Sequence, residues 1–400
     1  MEGCRPSPRG KGAVAVALAV GCAVLCGCES VPFRGRPGPD SPVPALGGPV
    51  PYVRPTVTPP RSPLDRRVAP LDRRPGVYAA TLAGMLGPAT RHLPPRVYVP
   101  ATGGAAVDVI DARTYRPIRR IPVGHAPRQV VPSWDLRTLW VTEAAGLVPI
   151  DARTGAVGRT VPVRGPVDLY FSLDGRDALV LGARPGRLQI RDPRTMRLRW
   201  TVRLPCPDPA GADLSADGAT LVVGCADAGR LARVDLERRS ATETVQLGDG
   251  ARPQDVRLSP DGRTFYVADA GRGGVWLVDA EGLRPAGFIA TGPGAHGLYP
   301  SRDARTLYVT DGDARTVSLI SFAERRVVDR WRVPAVPDMG GVSADGRVLW
   351  LSAPQADAVF AVSTRTGRIL RRLPTGPAPH GLCVFPQPGR FSLGHTGNYR

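Results

Sequence analysis

Lysine is all but absent from this 400-residue chain: Lys11 is the only one, so a formal charge of +18, from 53 basic against 35 acidic residues, is carried almost wholly by arginine. Beyond the extreme N-terminus no stretch of 18 apolar residues occurs, which excludes a protein that crosses a bilayer several times with helices. Helical periodicity is missing throughout. Cys-x-x-Cys-His, Gly-x-Ser-x-Gly, His-Glu-x-x-His and a phosphate-cradling Gly-Lys-Ser/Thr loop are also missing, so covalent c-type haem, a nucleophile elbow, a zincin site and a P-loop are unsupported. What is abundant is turn material, with 47 glycines and 44 prolines.

The N-terminus reads as an address. Arg5, Arg9 and Lys11 precede an apolar run from Gly12 to Val24, and small residues around cysteine follow, which is the layout of an export signal over residues 1–27. Leu25-Cys26-Gly27-Cys28 resembles the bacterial lipobox, whose cysteine receives a diacylglyceryl thioether; Cys28 is the candidate lipidation site, with a plain secretory signal or an uncleaved anchor as alternatives. Residues 28–75 form a Pro/Arg-rich linker with thirteen prolines between Ser30 and Pro75, too poor in N–H donors for a helix interior or sheet centre. It reads as a disordered tether. Residues 76–95 are transitional, and Val77–Leu82 is apolar enough to pack on a folded domain.

From residue 96 to 397 the chain repeats itself. The residue seven before the turn aspartate falls at Arg128, Val167, Ala210, Gln254, His296 and Asp338, and His380, seven before Gln387, continues the series, at intervals of 39 to 44. A second marker, closing an alternating strand, falls at Asp111, Asp151, Asp192, Asp235, Asp279, Ser321 and Ser363. Each unit holds four short β-like runs, as in Gln254–Leu258, Thr264–Ala268, Val275–Asp279 and Pro285–Thr291, and Asp-Gly pairs such as Asp261-Gly262 supply the inner hairpin turns. The fold class is therefore all-β: a seven-bladed β-propeller of four-stranded antiparallel blades.

Phrases such as Thr264-Phe265-Tyr266-Val267-Ala268-Asp269, Tyr308-Val309-Thr310-Asp311 and Pro379-His380-Gly381-Leu382 resemble the YVTN-repeat, YncE-like propellers over about residues 96–397. The resemblance implies the fold and leaves activity open. Strand counting adds closure: the unit at Arg96–Gly124 lacks an innermost strand, and His380–Phe385 supplies it. Residues 390–395 then resemble one strand too many. They either take a place in the closing blade or lie outside the ring.

The markers begin the innermost strands and so face one mouth of the central channel. Arg128, Gln254, His296, Asp311, Asp338, His380 and His395 are the candidate ligand-binding residues, with His296 and His380 as candidate ligands for a divalent metal. A hydrated channel whose groups satisfy one another is the competing reading, and no cofactor is firmly implied. Cys206 and Cys225 flank one inner hairpin and are expected to form a disulfide in an oxidising compartment, whereas Cys383 sits in an apolar strand as a free thiol. The six tryptophans are read as packing between blades. Arginine pairs recur on different blades, so the charge is expected around a rim, facing anionic lipid, wall polymer or an acidic partner rather than nucleic acid. The expected protein is a lipid-anchored, extracytoplasmic, monomeric binding or scaffolding module for an envelope protein, peptide or glycan. The alternative is a metal-assisted hydrolase or lyase of lactonase type.

Overall fold

The computed structural model describes residues 76–183, 185–395 and 397–400. The export segment, Cys28 and the Pro/Arg linker lie outside the described residues.

Local chemistry at the inner hairpins sets the blades. In Ser259-Pro260-Asp261-Gly262-Arg263 the Ser259 hydroxyl accepts the Thr264 N–H at 3.0 Å, and Asp261 accepts the Arg263 N–H at 3.1 Å. Gly262 turns the corner at φ +73°, the left-handed region that a Cβ disfavours. The same Ser-x-Asp clasp recurs at Ser133, Ser172, Ser215, Ser301 and Ser343. Two of these turns lack glycine and still adopt positive φ, at Leu136 (63°) and Ala304 (55°), so Asp-Gly pairs mark only some of the inner hairpins.

Seven antiparallel sheets result. Their innermost strands are Cys383–Phe385 (blade 1), Gln129–Pro132 (blade 2), Pro166–Phe171 (blade 3), Pro209–Leu214 (blade 4), Pro253–Leu258 (blade 5), Ala295–Pro300 (blade 6) and Gly340–Val342 (blade 7). Blade 5 continues through Thr264–Asp269, Gly274–Asp279 and Pro285–Ala290, close to the runs read from sequence. Burial falls from the inside outward: Thr264–Asp269 is buried at every residue, whereas Arg116–Pro122, an outermost strand, is exposed at all but one.

The core lies between blades. Tyr170, Leu179, Leu181 and Leu188 of blade 3 interlock with Leu214, Leu221 and Val223 of blade 4, and each such fully buried side chain contributes up to roughly 1.5–3 kcal/mol. Trp140 and Trp350 are buried in such layers, but Trp200 departs from expectation: it is exposed on an outermost strand, under the Arg239 guanidinium.

The ring closes where expected. Cys383–Phe385 pairs antiparallel with Arg96–Ala101, with Val384 opposite Val97, so both ends of the propeller share blade 1. The residues after it correct the sequence reading. Ser392–Gly394 takes no place in the closing blade; it enters the ring and pairs with the channel-facing edge of blade 3, Gly394 opposite Tyr170, and Asn398–Tyr399 folds back on it. Val77 and Tyr78 pack at the same end, where the Tyr78 hydroxyl donates to the Leu258 carbonyl.

Candidate functional site

An innermost strand leaves one edge of N–H and C=O groups facing the channel, and those groups need partners. Side chains of the neighbouring blades supply several. Asp213 accepts the Leu258 N–H at 2.8 Å, Asp255 accepts the Leu298 N–H at 2.9 Å, and the Tyr170 hydroxyl accepts the Ala212 N–H at 2.8 Å. Each of these bonds links one blade to the next.

The C-terminal hairpin completes this lattice from the end where the Ser-x-Asp turns lie, which we call the base. His395 places Nδ1 against Asp168 and Nε2 3.6 Å from Asp255. Asn398 donates to Asp213 at 2.6 Å, Arg400 lies 3.4 Å from the same carboxylate, and Arg257 lies 3.6 Å from Asp255. Three aspartates thus meet Arg257, Arg400 and His395. Burial opposes a charge on His395, but Asp168 and Asp255 overcome it and lift the imidazole to about 9. Burial likewise opposes ionisation of Asp255, and Arg257 and His395 outweigh it and hold the carboxyl below its ordinary value. Sequence reading missed Asp168, Asp213, Asp255 and Arg257; the available signal was charge inside otherwise apolar innermost strands, as in Asp255-Val256-Arg257.

At the opposite mouth the structure brings together three of the expected residues. Asp338 lies between two imidazoles, with His296 Nδ1 at 2.8 Å from Oδ1 and His380 Nδ1 against Oδ2, and the ring centroids are 6.3 Å apart. Local hydrogen bonds place the group. The Thr310 hydroxyl accepts the Gly297 N–H and donates to the Asp338 carbonyl, both at 2.8 Å, and the His380 N–H donates to the Pro100 carbonyl at 3.2 Å. All three side chains keep partial exposure, between 15% and 26%. Burial works against a charge on His296, yet Asp338 raises its basicity; burial also works against the Asp338 carboxylate, and His380 and His296 hold it well below the ordinary range.

The other expected residues are elsewhere. Asp311 turns into its own sheet and takes the Ser318 and Thr316 hydroxyls, so it does not reach the mouth. His395 lies buried beneath the mouth, not at its rim. Arg128 is exposed and Gln254 half-buried on the innermost-strand ends of blades 2 and 5, where Gln254 donates to the Arg252 carbonyl at 3.3 Å. For a metal, Asp338 already engages both Nδ1 atoms, leaving two Nε2 atoms. Among the described residues no group of three or more His, Cys, Asp or Glu side chains stands in metal-holding geometry. Cys206 and Cys225 form a disulfide across the inner hairpin of blade 4, with Cα atoms 5.5 Å apart, and Cys383 is free and buried.

The fold and site define a seven-bladed propeller whose channel is filled at the base by the C-terminal hairpin and lined at the opposite mouth by His296 and His380. Comparison with known proteins supplies the family: the YNCE-like beta-propeller profile matches residues 69–390, and the chain belongs to that family. The uncharacterized protein YncE of Salmonella typhi is 26% identical over 253 residues, covering 59% of this chain and 71% of that protein. Its counterpart in Salmonella typhimurium is 27% identical over 168 residues, so there the chain spans only 45% of the relative's length. Among solved structures, the periplasmic gluconolactonase PpgL of Pseudomonas aeruginosa aligns with a TM-score of 0.63 at 21% identity, over 74% of this chain and 99% of that one. Dihydro-heme d1 dehydrogenase NirN aligns with a TM-score of 0.57 at 18% identity, over 81% and 82%. At these identities the structural likeness shows the fold alone.

Proposed function

We propose that this chain is an exported, lipid-anchored propeller that binds an acceptor-rich envelope ligand, a peptide or glycan carrying carboxylate or hydroxyl groups, at the mouth built by His296, Asp338 and His380. The observation that carries this reading is the contrast between the two ends of the channel. At the base the C-terminal hairpin occupies the channel and sets His395, Asn398 and Arg400 against Asp168, Asp255 and Asp213. At the mouth two imidazoles are oriented by one carboxylate through Nδ1, so their Nε2 atoms are the groups left to meet a ligand. Ligand bound only to the folded state raises stability by about 2.7 kcal/mol at a hundredfold excess over Kd. Peptidoglycan fragments, acidic peptides and acidic glycans are the probes. One of them is expected to raise the melting temperature of the native chain and leave His296→Ala/His380→Ala unmoved, and an equal shift in both proteins rejects the site.

A second reading rests on the same geometry. A carboxylate on Nδ1 leaves Nε2 poised for proton transfer, an arrangement suited to hydrolysis of a lactone, with a divalent metal on the Nε2 pair as a variant. Turnover of a lactone panel that both histidine substitutions abolish, with or without stoichiometric metal, would favour it over the binding role.

Attachment to the membrane is tested separately. Cys28→Ala is expected to abolish incorporation of labelled fatty acid in the producing cell, and undiminished labelling removes the lipobox reading.

A further inference from the structure

Charge on the outside of the propeller is not spread evenly around the rim, contrary to what the scattered arginine pairs suggested. In blades 6, 7 and 1 the outermost strands are Arg326–Arg332, Ile369–Pro374 and Arg116–Pro122. Together with the turns leading into them, residues 321–332, 363–374 and 111–122 contain twelve arginines and three acidic residues. The corresponding segments of blades 4 and 5, residues 235–246 and 279–290, contain three arginines and five acidic residues. Because the ring closes through blade 1, blades 6, 7 and 1 are neighbours although residues 111–122 and 363–374 lie near opposite ends of the propeller sequence.

The arc is continuous and open. Arg371 of blade 7 reaches over the Tyr115 ring of blade 1, 5.7 Å from its centroid, so the segments abut. Arg116, Arg119, Arg332, Arg365, Arg368, Arg371 and Arg372 are all exposed, and none forms a salt bridge among the described residues. Blade 3 also carries four arginines in residues 192–203, of which Asp177 and Asp192 both hold Arg199; it is separated from the arc by blade 2, whose residues 151–162 contain only two arginines. Two exposed aliphatic side chains, Ile118 and Val328, stand among the arginines of the arc. Guanidinium groups interspersed with aliphatic side chains suit a headgroup layer, where phosphates meet the charge and the apolar groups reach the acyl boundary.

From this we infer that the outer strands of blades 6, 7 and 1 form a docking surface for an anionic phospholipid bilayer, on which the propeller lies on its side. The choice of a bilayer over a soluble polyanion uses the exposed aliphatic groups and the anchored location proposed above. An anchored domain meets the bilayer as an intramolecular partner, so weak contacts suffice to orient it. The mouth then opens parallel to the membrane rather than into it.

The chain from Glu29 to Arg400 contains the whole propeller and lacks both the export segment and Cys28, so its test is independent of lipidation in the cell. This protein is expected to co-sediment with phosphatidylglycerol-rich vesicles at low salt, to leave phosphatidylcholine vesicles unbound, and to be released as ionic strength rises. Arg119→Glu/Arg371→Glu/Arg372→Glu should weaken partitioning at least tenfold, at about tenfold or less per charge near an anionic surface. Arg238→Glu/Arg239→Glu on blade 4 should change it less than twofold. Circular dichroism and melting temperature identify any variant that fails to fold, and single substitutions at Arg371 and Arg372 then replace the triple variant. The inference is overturned if acidic vesicles do not bind, if the two sets of substitutions act equally, or if soluble polyphosphate binds through the arc while vesicles do not.

Discussion

His395→Ala is expected to lower the unfolding free energy by about 3–5 kcal/mol, the cost of leaving buried charges without a partner. His395 stands between Asp168 of blade 3 and Asp255 of blade 5 at 2% exposure, and alanine leaves both carboxylates facing an emptied space. Ending the chain at Pro388 should cost more. It removes Asn398 and Arg400 from Asp213, strips Phe391 from its 5.1 Å stack on Trp134 and takes Tyr399 out of the layer between blades 1 and 2. Chemical denaturation measures both effects. A truncated chain of native stability would show that the hairpin merely rests in the channel. If the hairpin acts by charge, His395→Lys, which restores a cation, should recover more stability than His395→Gln, which is similar in size but neutral.

The blades were legible in sequence because their determinants are local. The Ser-x-Asp turn sits within five residues of the strand it starts, and the continuous burial of runs such as Thr264–Asp269 follows directly from their apolar and β-branched composition. Closure was legible by counting, since Arg96–Ala101 had no inner partner until Cys383–Phe385 was assigned to it. The tail was not. Phe391-Ser392-Leu393-Gly394-His395 imitates a second-type strand, but its partner is the channel-facing edge of Pro166–Phe171, which exists only once seven blades stand in a ring. Asp311 shows the same limit in reverse. Its place in the repeat predicts the mouth, yet Thr316 and Ser318 on the next strand present hydroxyls that capture the carboxylate first. The charge polarity around the rim also escaped linear reading, because blade 1 joins the basic arc only through ring closure.

Stability should fall as pH rises from neutrality, and His395 fixes both the sign and the window. Its imidazole titrates at about 9 in the folded protein against an ordinary 6.5, because Asp168 and Asp255 outweigh the penalty of burial. The folded state therefore binds the proton more tightly than the unfolded state. This contribution is complete below about pH 6.5, erodes above it, and is gone once the pH exceeds about 9. At 1.36 kcal/mol per unit the swing is of the order of 3 kcal/mol. Denaturation midpoints measured between pH 6 and 10 for the native chain and for His395→Gln should converge as the pH rises, since neutral imidazole and neutral amide then leave the same carboxylates uncompensated. Curves that stay parallel over that range would mean His395 enters the fold uncharged. The charge lattice of the channel would then rest on Arg257 and Arg400 alone.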